Sequence, residues 1–159
     1  MSNNILQLAQ YQQQYSGSYA FTITHEPDED YRKYLTRQVA DYMPPMVQQH
    51  PVDAQPLDIS LDDLEGDVVA GLSAVTYGMT LAVDLLWVGE PLRGQGIGTR
   101  LMQMAEEFAR ERGCEVARVS VTGNLPFFID MGYELSGTIQ QVDFRAGSTK
   151  AVYWLTKVL

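Results

Sequence analysis

The chain has 159 residues, of which 45% are hydrophobic and 19% charged, a composition typical of one globular domain and not of a disordered segment. Its formal net charge of −9, with no local stripe of Lys and Arg, argues against a nucleic-acid-binding protein. Cys114 is the only cysteine, which excludes an internal disulfide and a cysteine-based zinc site, and no apolar run reaches membrane-spanning length.

The start of the chain is polar and rich in Gln, and it ends in a Ser-Gly turn signal. We therefore expect an N-terminal arm over residues 1–18 and a single domain over residues 19–159. The first residues lack the basic start and apolar core of a secretory signal, so a cytoplasmic protein is expected. The acidic net charge leaves two interpretations: a surface that favours solubility, or attraction of a cationic substrate or partner.

The first predicted elements are a strand and a helix. Residues 19–25 alternate and are rich in Tyr, Phe, Ile and Thr, which predicts a strand. Residues 26–43 carry apolar side chains at helical spacing, with Pro27 and a cluster of acids in the first turn. Pro44 and Pro45 are expected to end this helix.

Three strand-like runs follow a loop predicted over residues 46–56. His50 in this loop could line an acceptor site, but a surface position is favoured. Only short turns separate the runs, which predicts an antiparallel meander. The three predicted strands are residues 57–63, 68–77 and 80–88.

The most regular predicted helix comes next. Its apolar stripe consists of Ile97, Leu101, Met104, Ala105 and Phe108. Gly113 stands where a left-handed C-terminal cap is wanted, and Glu106 and Arg110 are expected to pair on the polar side. The remaining predicted elements are a strand at 115–122, a short helix or turn at 124–132, and strands at 133–142 and 150–158. This order predicts an α/β (α+β) fold, a mixed, mostly antiparallel twisted sheet flanked by helices.

Three glycines, Gly94, Gly96 and Gly98, fall within five positions directly before this helix. The first N–H groups of a helix have no internal partner, and the helix dipole makes this end positive. Glycine lets a ligand approach the backbone closely, and Arg93 adds a full positive charge. The stretch "RGQGIG" therefore predicts a cradle for a phosphate or pyrophosphate.

Two common phosphate-binding patterns do not fit these glycines. No Lys follows them as a P-loop requires, and Thr99 occupies the third glycine position of the dinucleotide pattern. The pattern R-x-x-G-x-G, made by Arg93, Gly96 and Gly98, resembles the coenzyme A signature of the GNAT family, the GCN5-related N-acetyltransferases. The resemblance covers residues 19–159 in element order. It includes "LLWVGEPLRGQGIGTRLMQMAEEFARERGCEVARVSV" and "FFIDMGYE".

The resemblance implies that acetyl-CoA, the acyl donor, lies between the fourth and fifth strands. It implies pairing of the pantetheine arm with the backbone of the fourth strand, binding of the pyrophosphate by the glycine turn, and polarisation of the thioester carbonyl by a backbone N–H near Val88. Asn124 either contacts the CoA arm or caps the short helix. The implied cofactor-binding residues are Leu86, Trp87, Val88, Arg93, Gly94, Gln95, Gly96, Ile97, Gly98, Thr99, Asn124, Phe127 and Phe128.

The resemblance also implies catalytic groups. Asp84 is the first candidate for the base that removes a proton from the amine, although it is equally consistent with a solvated strand position, and Glu90 is the second. The family often places a proton-donating Tyr where this chain has Phe128, which cannot donate. Tyr133, with Tyr153 and Tyr77 as further candidates, would then protonate the thiolate; otherwise the thiolate leaves unassisted or no turnover occurs.

The function implied by the resemblance is acetyl transfer from acetyl-CoA to an amine of unknown identity, in a small molecule or peptide, by direct attack. Two alternatives remain: a non-catalytic acyl-CoA-binding or regulatory module, and a phosphate-ligand binder unrelated to CoA. Neither nucleic acid nor a membrane is expected as a partner, and no metal site is expected because His25 and His50 lack metal-ligand spacing. An exposed closing strand could pair two copies into a homodimer.

Overall fold

The protein was analysed as a computed structural model, which describes residues 19–39 and 50–159. The predicted arm over residues 1–18 lies outside the described residues. The same holds for the predicted end of the first helix at Pro44 and Pro45 and for the first four residues, 46–49, of the loop that follows it.

Within the described residues, seven strands form one sheet in the order β1-β2-β3-β4-β5-β7-β6. Neighbouring strands are antiparallel except β4 and β5, which are parallel. The predicted fold class and the β2–β4 meander are thereby confirmed. The strands are β1 (Tyr19–Thr24), β2 (Gln55–Asp63), β3 (Val68–Tyr77), β4 (Thr80–Val88), β5 (Val116–Val121), β6 (Glu134–Asp143) and β7 (Ser148–Val158).

In residues 19–39 and 50–159 the helices are α1 (Glu29–Val39), α2 (Ile97–Glu111) and α3 (Leu125–Asp130), and a 3-10 turn spans Glu90–Leu92. The prediction that Pro27 lies in the first turn of α1 was wrong. Asp28 precedes the helix, and its Oδ1 accepts a hydrogen bond of 2.9 Å from the backbone N–H of Tyr31. An Asp in this position satisfies one of the unpaired donors of the first turn, so the helix begins directly after it.

Helix α2 covers one face of the sheet with its predicted apolar stripe, every member of which is buried. Gly113 has a φ of +85° and follows the helix, as predicted, while the N–H of Cys114 donates to the carbonyl of Ala109. Glu106 differs from the prediction, because it is only 2% exposed. Lys157 and Tyr133 donate hydrogen bonds to its carboxylate from β7 and from the residue before β6.

Helix α1 packs on the opposite face. A Cβ atom at Gly71 of β3 would meet side chains of α1, whereas its neighbour Leu72 belongs to the core cluster under α2. Successive residues of a strand point to opposite faces, so the two helices lie on different sides of the sheet. The Tyr31 hydroxyl ties α1 to the sheet by donating to the carbonyls of Ile59 (2.9 Å) and Leu72 (3.2 Å).

Candidate active site

The parallel strands β4 and β5 separate along their length. Their pairing runs from Thr80 opposite Val116 to Val83 opposite Val119 and does not continue toward Val88. Beyond that point β4 remains paired with β3, and β5 with β7. A gap therefore opens between the two strands toward their C-terminal ends.

A cavity of about 870 Å³ occupies this gap and extends to the start of α2. Both strands contribute to its wall, together with the glycine turn and α3. The predicted cofactor-binding residues that line it are Leu86, Trp87, Val88, Arg93, Gly94, Gly96, Ile97, Gly98, Thr99, Asn124, Phe127 and Phe128. Gln95 is not among them, and its side chain donates to the Pro91 carbonyl at 3.3 Å.

Glycine is required in the turn for two different structural reasons, backbone conformation and close packing. Gly94 and Gly96 have φ values of +75° and +81°, a region that favours glycine, and a Cβ at either position would meet no described atom within 4 Å. Gly98 has ordinary helical geometry, and its Cβ would lie 3.4 Å from the Phe127 ring and 3.7 Å from Val88. Gly94 and Gly96 thus shape an open cradle, while Gly98 allows α2 to start close against α3 and β4.

The cradle presents unpaired donors to the cavity. The first backbone bond of α2 runs from the N–H of Arg100 to the carbonyl of Gly96, at 3.0 Å. The N–H groups of Ile97, Gly98 and Thr99 precede this bond and so have no partner inside the helix. Gly96 has no side chain to cap them, which leaves a positive helix end facing the cavity.

Arg93 fastens the turn to the end of β4. Its Nε donates to the Val88 carbonyl at 2.9 Å, and its guanidinium lies at the cavity wall. This bond uses one of the five N–H donors of the side chain.

Asp84 stands where β4 leaves β5. Ser73 and Ala74 of β3 lie opposite Leu85 and Val83, so Asp84 is the extra residue of a β-bulge. A bulge locally redirects side chains, and the Asp84 carboxylate projects on the α1 side of the sheet, where Arg32 binds it.

The Asp84 side chain is only 10% exposed and has two cationic or potentially cationic partners. Arg32 of α1 forms an ion pair with Oδ2. The Nε2 atom of His50 lies 2.9 Å from Oδ1 and 2.8 Å from Oδ2. The prediction of an exposed His50 was wrong, because this contact buries the ring to 11% exposure.

The family assignment rests on sequence as well as fold. The model of the acetyltransferase (GNAT) family matches residues 18–133. This chain belongs to the GNAT family of acetyltransferases. The predicted resemblance is confirmed.

Similar proteins carry the same activity in their names. An acetyltransferase of Agrobacterium fabrum is 34% identical over 107 residues, which cover 66% of this chain and 75% of that protein. The blasticidin-S acetyltransferase of Streptomyces morookaense is 35% identical over 104 residues, which cover 62% of this chain and 75% of that protein. The solved structure of a proposed acetyltransferase from Agrobacterium tumefaciens superimposes with a TM-score of 0.62 at 28% identity, covering 86% of this chain and 96% of that one.

These findings identify the GNAT protein as an acyltransferase. They argue against the alternative of a non-catalytic module. None of the helices in residues 19–39 and 50–159 is long and apolar enough to cross a membrane.

None of the three predicted catalytic residues of this GNAT acetyltransferase, Asp84, Glu90 and Tyr133, lines the cavity. Glu90 is exposed in the 3-10 turn. Tyr133 is 1% exposed, and its hydroxyl donates to Oε1 of Glu106 at 3.0 Å. Burial, reinforced by the Glu106 carboxylate, raises the pKa of Tyr133. A hydroxyl held in this way is a structural donor, so we do not keep Tyr133 as the acid.

Phe128 and Asn124 both lie at the cavity. The Phe128 ring is 4% exposed and stands edge-on to Phe127 and Tyr133, with centroid distances of 4.9 and 5.9 Å. Asn124 has a φ of +57°, and its side chain makes no capping hydrogen bond in the described part of the chain. Asn124 therefore occupies the predicted N-cap position of α3 but does not cap the helix through its side chain.

Sequence reasoning missed part of the cavity wall. Val119 and Val121 could have been found, since they alternate along a correctly predicted strand that faces the gap. The others come from separate elements, and no local pattern marks them. The missed residues are Val39, Leu92, Val119, Val121, Thr122, Gly123, Lys150 and Ala151.

Proposed function

We propose that this enzyme transfers the acetyl group of acetyl-CoA to an amine by direct attack of the amine on the thioester. The supporting observation is a continuous cavity that joins a positive helix end to the gap between β4 and β5. A long ligand with an anionic pyrophosphate and an extended neutral arm matches both ends of that cavity.

The pyrophosphate would bind at the glycine cradle. The N–H groups of Ile97, Gly98 and Thr99 offer donors, and the helix end and Arg93 offer positive charge. Gly94 and Gly96 leave room for phosphate oxygens to approach the backbone, because no Cβ projects there.

The pantetheine arm would lie along β4 as an added strand. Past Val83, this strand has β3 on one side and the open gap on the other. Its backbone groups on the gap side can then pair with the amides of pantetheine. Because the Val88 carbonyl already accepts from Arg93, we expect this pairing to involve Leu86 and Trp87 more than Val88.

The chemistry would take place where the strands separate, beside Asp84. Attack by the amine forms a C–N bond and moves the carbonyl electron pair to oxygen, and collapse breaks the C–S bond. The amine proton must be removed, which we assign to the group of side chains around Asp84. Phe128 cannot protonate the sulfur, and a thiol with an ordinary pKa of about 8.5 allows the thiolate to leave unassisted.

The acceptor is proposed to be an amine of a small molecule or a peptide. One relative is named for blasticidin S, and the family includes a protein named N-alpha-acetyltransferase 80 in mouse. A cytoplasmic location goes with the proposed donor. A homodimer through the edge strand β6, where Leu135, Ile139 and Val142 are exposed, stays a prediction.

Ligand-induced stabilisation of matched glycine variants tests the proposal. Acetyl-CoA at about a hundred times its Kd should add about 2.7 kcal/mol, on the order of 5–10 °C in Tm for a chain of this size. Gly96→Leu should abolish this shift because its side chain fills the cradle. Gly66→Leu is the control: Gly66 has a φ of +87°, equally open surroundings, and lies in the β2–β3 turn away from the cavity.

Both variants strain a left-handed position by about 1–2 kcal/mol, so their Tm values without ligand should fall alike. Equal acetyl-CoA shifts in the two variants would refute the cradle. A shift in the wild-type protein with ATP but not with CoA would refute the donor. Release of free thiol on addition of an amine then reports the transfer itself.

A further inference from the structure

His50 and Asp84 form a carboxylate–imidazole pair on the α1 side of the sheet. Both side chains are about nine-tenths buried, and the Nε2 atom of His50 lies within hydrogen-bond distance of both carboxylate oxygens. Arg32 occupies Oδ2 from the other direction. The carboxylate therefore has protein partners on both oxygens and little room for a substrate of its own.

The pair fixes which nitrogen of the neutral imidazole carries the proton. An ionised carboxylate can only accept, so Nε2 must be the donor in a hydrogen bond to Asp84. The lone pair of neutral His50 is then at Nδ1. In a neutral imidazole held this way, Nδ1 is the atom that can accept a proton.

The Nδ1 atom of His50 is buried and has no hydrogen-bond partner within the described part of the structure. A buried polar atom without a partner is unfavourable by about 1–3 kcal/mol, and native proteins seldom keep one without a reason. The N–H of an acceptor amine is the kind of group that would satisfy it.

The pair also lies at the right point of the fold. Asp84 is the bulge residue next to Val83, the last residue of β4 that pairs with β5. Leu86, two residues further, lines the cavity of the gap. The imidazole is thus held on the α1 side of the sheet by a residue next to the closed end of the gap. Neither His50 nor Asp84 lines the cavity itself, so an acceptor amine would have to reach Nδ1 from the α1 side.

We propose that His50 is a catalytic residue whose Nδ1 takes the proton from the acceptor amine, and that Asp84 is a positioning residue that orients the ring. This inference rests on the proposed function. It assigns the role of general base, first expected for Asp84, to His50. It also explains why the buried Nδ1 atom of His50 has no hydrogen-bond partner within the described part of the structure.

The step balances without a further reactant. The amine lone pair forms the C–N bond while the C=O electron pair moves to oxygen, and the N–H proton passes to Nδ1. The intermediate then re-forms the C=O bond and expels CoA as a thiolate with the C–S electron pair. The imidazolium returns its proton to solvent, where the thiolate also takes one up.

Several charged or titratable groups surround the ring. Asp84 contacts the imidazole directly, and Arg32 pairs with the same carboxylate. Tyr77 of β3 has its ring centroid 6.0 Å from that of His50, and the Arg118 guanidinium of β5 lies 5.5 Å above the same tyrosine. Asp58 of β2 lies buried on the same side and interacts electrostatically with Arg32 and Asp84.

Thiol release from acetyl-CoA tests the proposal, with spermidine, tyramine and a short peptide with a free amino terminus as amines. His50→Gln keeps a donor for Asp84 but cannot take a proton, so kcat should fall about 10²–10⁴-fold while the thermal shift with acetyl-CoA is retained. The acidic limb of the rate–pH profile should disappear with it. His25→Gln is the matched control, because His25 contacts Arg112 and Phe108 away from the gap, and its kcat should stay within about twofold.

Asp84→Asn should lower kcat less than His50→Gln, since the imidazole remains but loses the carboxylate that holds its proton on Nε2. The acetyl-CoA shift should again be retained. A His50→Gln enzyme with wild-type kcat across the pH range would overturn the role of His50. Wild-type protein that binds acetyl-CoA but turns over none of these amines would overturn both this role and the proposed transfer.

Nitrogen-15 NMR of the wild-type imidazoles keeps the proposal testable even if His50→Gln does not fold. The chain has two histidines, so the His25→Gln spectrum assigns His50 directly. The proposal requires the neutral ring of His50 to carry its proton on Nε2. A proton on Nδ1 would overturn it, and it would do so whether or not acetyl-CoA binds.

Discussion

The buried hydrogen-bond network around Tyr133 allows a test of whether this residue stabilises the fold or acts as the catalytic acid. The Tyr133 hydroxyl donates to Oε1 of Glu106 at 3.0 Å, and Lys157 donates to Oε2 at 2.8 Å. Both Tyr133 and Glu106 are at most 2% exposed. Tyr133→Phe removes the hydroxyl alone, because the ring and its edge-on contact with Phe128 remain.

The magnitude follows from the charge of the acceptor. A hydrogen bond to a charged group contributes about 1.5–3 kcal/mol, and each kcal/mol corresponds to about 2–4 °C in a domain of this size. Tyr133→Phe should therefore lower Tm by roughly 3–12 °C. Lys157→Met should lower stability more, by about 3–5 kcal/mol, because it leaves a buried carboxylate without its closest cation.

Arg110→Met is the matched control for Lys157→Met. Arg110 approaches the same carboxylate only to 3.7 Å and is 46% exposed, so the loss should be at most about 1 kcal/mol. The assays are thermal unfolding and thiol release. We expect Tyr133→Phe to lose stability and keep kcat within about twofold, since Tyr133 does not line the cavity. Unchanged Tm with a large loss of kcat would refute this reasoning and restore Tyr133 as the acid.

Two further predictions concern Asp58 and Gly98. Burial raises the pKa of Asp58, although Ser73 donates a hydrogen bond of 2.6 Å to its carboxylate. The free energy of unfolding therefore falls as pH rises from the ordinary carboxyl pKa to the raised pKa of the folded protein, because the folded state resists ionisation of this group. Asp58→Asn should therefore increase the urea midpoint at pH 7, and the gain should vanish near pH 3; a loss at pH 7 would mean that its charge stabilises the fold. Gly98→Ala should be neutral or stabilise by about 0.5 kcal/mol, whereas Gly98→Leu should cost about 1–3 kcal/mol against the Phe127 ring, and equal urea midpoints would contradict that close packing.

Local patterns were sufficient for most elements. The predicted bounds of β3 and β4 match the structure residue for residue, because long apolar runs are interrupted only by short turns. The stripe of α2 and its C-terminal Gly113 were also read correctly from spacing. Where prediction differed, a side-chain contact decided the boundary, as when Asp28 capped α1 after Pro27.

The candidate site likewise contains residues that local sequence patterns predicted and residues that they did not. The glycine turn could be recognised because its spacing, its Arg and its place before a helix are all local features of the sequence. The place of His50 could not be recognised, since its contacts Asp84 and Tyr77 lie far along the chain. The exposure of Glu106 was predicted wrongly for a similar reason. Helical spacing predicts which side of α2 the Glu106 side chain occupies, but it does not predict that Lys157 of β7 contacts the carboxylate there.

The sequence by itself determined the order of the described strands and helices, the glycine turn before α2 and the family, because each depends on residues close together in the chain. Only the tertiary structure decided where β4 leaves β5, that Asp84 is a bulge residue, and that Arg32 and His50 meet at its carboxylate. Those features depend on pairing register and on packing across the sheet. Both are set by contacts between distant segments, which no local pattern encodes.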